Sequence, residues 1–481
     1  MKNLIFIVLA SVLLINCNSN IEVDTKPNNP IYNSEVEDRI ERVLNNLQVA
    51  TEVDGNFESK TLEERMAFYH TPAVSIAIVN NGKIEWARGF GKSDLESNTS
   101  TDIETMFQAA SVSKPIFALA IMKLKEKGII DLDKDVNTYL TSWQIPKNGD
   151  WQPKITLRHL LSHTAGLTVH GFLGYTNSET LPTIQQILNG EEPANSGKVM
   201  VDILPETKFR YSGGGTVVAQ LAVTDLIKNP FPEIIEEELF QPLNLKQSTF
   251  SQPLPEKFKY KTATAYPYKN QPINGKYHIY PEMGPAGLWT TPTELATIMI
   301  EVQKGLQGKS DFIKKETLEE MLTPQEVAKI IGIGFMLEGQ NESARFTHSG
   351  WNEGFLSTFK GYKNVSKGVV IMLNSNEGYG IIDEIMNSVA KEYEWLDYLP
   401  KETEFESIDE SALKIIGTYG KFKLDYINRK LLLVYPNQAP LELKKTSDGI
   451  YKNDYFNFEI TIKGKQLELI QSGETKTYDK K

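Results

Sequence analysis

The chain has 481 residues, room for more than one hydrophobic core, with 40% hydrophobic, 10% aromatic and 23% charged residues. That is the make-up of a folded globular protein, and no low-complexity tract or repeat interrupts it. Lys and Arg total 51 against 62 Asp and Glu, a formal charge of −11, which excludes the basic surface that a phosphate backbone demands, so nucleic acid is not an expected partner.

The first 17 residues form a separate object. Lys2 supplies a positive start, and residues 4–15 are an almost wholly apolar run too short to span a bilayer. It ends in Leu14-Ile15-Asn16-Cys17, and Cys17 is the one cysteine of the chain. This resembles a bacterial lipoprotein signal, in which the cysteine is lipidated; an ordinary signal with an incidental cysteine is the alternative, since Asn16 is bulkier than Gly or Ala. Either way the mature chain is expected to be exported, without a disulfide. Its expected membrane contact is the N-terminal lipid anchor alone.

Residues 18–35 are polar and rich in Pro and Asn, and read as a tether. A helical pattern follows over 36–47. Residues 74–79, then Asn80-Asn81-Gly82, then 83–88 predict strand, tight turn and strand, because Asn-Gly supplies the positive φ of a hairpin. From Ser111 the pattern turns helical, with Ile116, Leu119, Ala120, Met122 and Leu124 as an apolar stripe and Gly128 as a C-terminal cap. Residues 130–330 mix short helices with turns. Strands are predicted over 355–362 and 368–373, and an amphipathic helix over 381–393. The polar stretch 400–411 marks a boundary between a main domain at 36–398 and an accessory β domain at 411–481. The latter is predicted from β-prone runs at 431–435, 441–443, 456–462 and 467–470.

The pattern Ser-x-x-Lys, able to place a nucleophile beside an amine base, occurs four times: Ser111/Lys114, Ser357/Lys360, Ser388/Lys391 and Ser411/Lys414. Ser357 falls in a predicted strand, where residues three apart face opposite ways. Ser388 lies on the late helix beside Glu392 and Glu394, and Ser411 at the boundary is better read as a helix cap. Ser111 alone sits where small residues (Ala109, Ala110) end an extended run and an apolar helix begins. A serine there has free N–H groups and the positive end of the helix dipole beside it. Lys114 lies at i+3 on the same face, and once buried it can take the hydroxyl proton. The rival is a capping serine with a surface lysine.

Phe107-Gln-Ala-Ala-Ser111-Val-Ser-Lys114-Pro resembles the active-site helix of the serine β-lactamase and penicillin-binding-protein superfamily, in the branch of class C β-lactamases, D,D-peptidases and esterases. Ile129-Ile-Asp-Leu-Asp133, Ile155-Thr-Leu-Arg-His-Leu-Leu-Ser-His-Thr-Ala-Gly-Leu167 and Ala286-Gly-Leu-Trp-Thr-Thr-Pro-Thr-Glu-Leu295 are similar to further signatures, in the family's order. The resemblance implies an α+β fold: an antiparallel sheet with helices on both faces and a mainly helical insert, the small all-β domain following. It puts the family's Tyr-x-Asn motif at Tyr211-Ser212-Gly213, where Tyr211 would share protons with Lys114 and Gly213 lacks the amide that would hold a substrate carbonyl. Tyr175–Asn177 and Tyr268–Asn270 match the triplet but lack its flanks. The Lys-Thr-Gly motif looks like His348-Ser349-Gly350. There His348 would be a donor or switchable charge opposite Lys114, Gly350 would let substrate come close, and the N–H of Trp351 would join that of Ser111 as an oxyanion donor. In the family, His at this place is commoner in esterases and peptidases than in efficient β-lactamases.

The other histidines (His70, His159, His163, His170, His278) show no metal pattern. His159 and His163 stand at i,i+4, but Leu160 occupies the place of a zincin glutamate, so both are assigned to packing. The expectation is an exported serine hydrolase acting on an ester or amide of a small-molecule or peptide substrate through an acyl-enzyme. Neither cofactor nor metal is required. A catalytically silent receptor for cell-wall fragments is the rival reading.

Overall fold

The computed structural model describes residues 28–47, 59–395, 398, 405–406, 408, 413–427, 430–434, 441–452, 458–471 and 474–481. Cys17 with the signal, residues 18–27 of the tether, and Ser411 lie outside the described residues. Among the described residues nine strands precede residue 395: β1 (Ala73–Asn80), β2 (Lys83–Asp94), β3 (Thr99–Ser100), β4 (Phe107–Gln108), β5 (Trp289–Thr290), β6 (Met336–Glu338), β7 (Arg345–Asn352), β8 (Phe355–Tyr362) and β9 (Gly368–Leu373). Seven of them form an antiparallel sheet in the order β3-β2-β1-β9-β8-β7-β6, while β4 and β5 pair separately. The β1–β2 hairpin turns at Asn81 (φ 51°) and Gly82 (φ 73°), the two positive angles expected of Asn-Gly.

The sheet is covered on both faces, and β1 shows why. Its side chains alternate with period two. Ala73, Ala77 and Val79 enter one core with Val370, Met372 and Phe359, beneath the Ser113–Glu126 and Pro292–Leu306 helices. Val74, Ile76 and Ile78 enter the other with Val369, Ile371 and Leu373, under Ile40 and Val43 of the Ser34–Leu44 helix and Ile381, Ile385 and Val389 of the Tyr379–Glu392 helix. Ser34 and Glu35, expected in the tether, form the first helical turn, because the Asn33 side chain accepts the N–H of Val36 and caps the helix there. Between the strands lies the helical insert, whose Gly213–Ile227 helix is buried almost all round, in keeping with its mostly apolar sequence.

Past residue 400 the described residues form nine strands: β10 (Phe405–Glu406), β11 (Gly417–Tyr419), β12 (Phe422–Ile427), β13 (Lys430–Val434), β14 (Leu441–Thr446), β15 (Tyr451–Lys452), β16 (Phe458–Lys463), β17 (Gln466–Gln471) and β18 (Glu474–Asp479). Strands β11 to β18 pair in sequence order, and β10 adds to β14. Tyr419 bridges Lys480, and the N–H of Lys481 donates to the Thr418 carbonyl at 2.8 Å, so the chain after β18 returns to β11 and closes an eight-stranded barrel. Tyr419, Leu424, Leu431, Leu443, Ile460 and Leu467 fill its core.

Candidate active site

Ser111 stands in a 3-10 turn, Ala110–Val112, that joins β4 to the Ser113–Glu126 helix. This corrects the expectation that the helix begins at Ser111. Ala110 has φ 49°, a left-handed conformation a side chain resists, and a helix cannot run through it. The turn is held from three sides. The N–H of Ala109 donates to the Leu288 carbonyl at 2.8 Å, the N–H of Leu288 to Ser113 Oγ at 3.0 Å, and Ser357 Oγ to the Ala109 carbonyl at 2.7 Å. Ser357, set aside as a nucleophile, thus supports the turn that presents Ser111.

Lys114 is 4% exposed. Its Nζ donates to Ser111 Oγ at 2.9 Å and to the Pro285 carbonyl at 2.9 Å. Both acceptors are uncharged, so burial is uncompensated and pulls the amine down to about 7. Such a lysine is largely a free base just above neutral pH. Its Nζ also lies 4.9 Å from the centre of the Tyr211 ring. Burial raises the Tyr211 phenol, partly offset by the Ser111 hydroxyl, so the phenol keeps its proton. Around that ring stand three imidazoles: His163 with centroids 4.3 Å apart, His170 at 4.9 Å and His348 at 6.2 Å.

His348 lies on β7, and its Nδ1 is 2.7 Å from the Ser349 carbonyl. A carbonyl only accepts, so Nδ1 carries the proton and Nε2 is an acceptor, buried without a hydrogen-bond partner among the described residues. Burial first, and Lys114 second, hold the ring down to about 3. The expected donor or switchable charge opposite Lys114 is therefore a neutral acceptor. Ser349 and Trp351 face away from the buried side of β7, and Trp351 is 40% exposed.

Two glycines have structural reasons that differ from those expected. A Cβ on Gly350 would lie 2.3 Å from the Ala109 carbonyl and 2.4 Å from Ser357 Oγ, so the space is taken by the protein's own turn rather than left for substrate. Gly350→Ala is expected to destabilise the fold by about 1–3 kcal/mol through overpacking, read from the denaturant midpoint; an unchanged midpoint would contradict this packing. A Cβ on Gly213 would crowd the Phe172 ring at 3.0 Å and the His170 carbonyl at 3.1 Å. Gly213 is buried under that loop at a helix start, and no substrate contact follows from its position.

The remaining candidates fall elsewhere. Ser388 Oγ is spent on the Val43 carbonyl, Tyr175 bonds Glu282 and the N–H of Asn195, and Tyr268 is exposed. His159 pairs with Glu206 at 3.3 Å. His163, assigned to packing with it, instead joins the site, because the Leu157–Leu161 helix stops before it and the i,i+4 relation is never realised. The break was visible in Ser162-His163-Thr164-Ala165-Gly166, a run of small residues ending in glycine. The Pro285 carbonyl left no signal in the sequence. Among the described residues no cluster of His, Cys, Asp and Glu could hold a metal.

The sequence model of the beta-lactamase family matches residues 59–385, which span the seven-stranded sheet, the insert and the site. The chain belongs to this family, serine hydrolases of the beta-lactamase fold. It is similar to Protein flp of Staphylococcus aureus (strain N315), 24% identical over 325 residues, or 66% of this chain and 63% of that protein. It is also similar to Esterase EstB of Burkholderia gladioli, 28% identical over 225 residues, or 45% and 55%. The chain thus spans less than two thirds of the length of these relatives. The octameric penicillin-binding protein homologue from Pyrococcus abyssi shares the fold, with a TM-score of 0.61 at 20% identity over 87% of this chain and 98% of that one.

Proposed function

We propose that the chain is an exported serine hydrolase that cleaves an ester or amide through an acyl-enzyme on Ser111. The observation that carries the reading is Lys114 Nζ at 2.9 Å from Ser111 Oγ, buried with no charged partner in its hydrogen bonds. The free amine takes the hydroxyl proton as Oγ attacks the carbonyl carbon. The N–H groups of Ser111 and Trp351 receive the oxyanion, a role supported by the close approach of Gly350 to Ala109 and Ala110. Tyr211, which keeps its proton, hands it to the leaving group and recovers one through Lys114. Water then releases the acyl group, again with base help from Lys114.

Three features favour a neutral ester or a peptide over a β-lactam. His348 offers no positive charge to a substrate carboxylate. Gly213 offers no amide. Strand β6 pairs with β7 only through Arg345, Phe346 and Thr347, so among the described residues no strand pairs with that edge of β7 from His348 onward, which leaves its backbone for an extended substrate. The esterase similarity agrees with the first choice. Residues 1–17 support export, with Cys17 as lipid anchor in the cell envelope.

The test is intact-mass spectrometry after exposure to p-nitrophenyl esters, D-alanyl peptides and a chromogenic cephalosporin. An acyl mass shift mapping to the Ser111 peptide is expected with an ester or peptide, and little or none with the cephalosporin. No shift with any of them would leave the silent receptor as the better reading.

A further inference from the structure

His163 engages four consecutive residues of the irregular segment that carries Tyr211. Its ring meets Phe209 edge-on, with centroids 6.0 Å apart and planes at 90°. Its carbonyl accepts the N–H of Arg210 at 2.9 Å. Its ring lies over Tyr211 at 4.3 Å, tilted by 37°. Its Nδ1 accepts the N–H of Ser212 at 3.2 Å. The backbone that achieves this is strained: His163 has φ 56°, a left-handed angle that a residue with a Cβ resists. Strain of this kind persists only where the surroundings enforce it.

We infer that His163 is a positioning residue: a clip that grips the backbone on either side of Tyr211 and fixes the direction of its phenol toward Ser111. The inference rests on the hydrolase reading above. Tyr211 precedes the helix that starts at Gly213, so no regular element holds it, and the clip supplies what a helix or ladder would otherwise give. The grip requires a neutral imidazole. An N–H only donates, so Nδ1 must present its lone pair to Ser212, and the ring proton sits on Nε2, which is buried without a hydrogen-bond partner among the described residues. A second ring proton would set two donors against each other. Burial opposes that proton most strongly, followed by Lys114, His348 and His170.

The side chains of Asn and Gln separate the two nitrogens of histidine, since the Asn amide reaches the place of Nδ1 and the Gln amide that of Nε2. Asn also tolerates the left-handed backbone. With p-nitrophenyl butyrate as probe, His163→Gln is expected to lose about 100-fold in kcat with KM little changed, and His163→Asn to recover most of that loss. His163→Gly, which relieves the strain and deletes the ring, should be as slow as His163→Gln. Near-wild-type kcat in a folded His163→Gln or His163→Gly variant overturns the clip. So does a His163→Asn variant as slow as His163→Gln when both are folded. A wild-type protein that neither turns over the ester nor is acylated at Ser111 overturns the hydrolase reading, and the clip falls with it.

Discussion

Ser111→Ala is expected to abolish acylation by p-nitrophenyl esters and labelling by a fluorophosphonate, lowering kcat by about 10⁴-fold or more. The argument is one of position rather than motif. Each other Ser-x-x-Lys serine in the described residues has its hydroxyl engaged elsewhere: Ser357 on the Ala109 carbonyl and Ser388 on the Val43 carbonyl. Ser111 is half-buried, stands on a strained turn and touches a lysine without a counter-charge in its hydrogen bonds. Ser357→Ala should keep labelling at Ser111, since it loses only one brace of the turn. Labelling that persists in Ser111→Ala would sink the assignment.

Lys114→Met is expected to lower kcat by about 10²–10⁴-fold, the range for a lost general base, while leaving the protein as stable as before or more so. The two effects share one cause. Burial without a partnering charge is what leaves the amine deprotonated, and so available as a base, near neutrality, and it is a cost that an apolar side chain of similar length does not carry. For the wild type the sign is fixed: the reactive form is the free amine, so kcat/KM should rise as pH passes about 7 and level off above it. A profile flat from pH 6 to 9, or a Lys114→Met variant of undiminished kcat, would remove Lys114 from the chemistry.

Much of this site was legible because its parts travel in short local strings. Ser111 and Lys114 are three residues apart, Tyr211 stands one residue before a glycine run, and His348 opens a His-Ser-Gly triplet; each is recognisable without knowing its neighbours in space. Their environment was not. Alanine carries no sign of a left-handed φ, so the start of the helix was placed at Ser111 instead of Ser113. The clip depends on residues 163 and 209–212 meeting across a loop. The state of His348 depends on a backbone carbonyl one residue away and on burial, neither of which is a property of residue type. In the barrel, β16 and β17 showed the expected β-prone runs. Strand β18, Glu-Thr-Lys-Thr-Tyr-Asp, did not, because a strand with a wet outer face can be polar at most positions. The main sheet was easier, since β1 and β9 are covered on both sides and read as nearly continuous apolar runs, with Ser75 the one polar residue inside them.

The alternation along β1 also governs how this domain comes apart. Neighbouring residues of one strand belong to opposite cores, and the same is true of β9, so neither core can melt while the other keeps its floor. The sheet makes the two a single cooperative unit. A loosened core around Ile385 and Ile371, on the face away from Ser111, is therefore felt in the population of molecules whose nucleophile is correctly held.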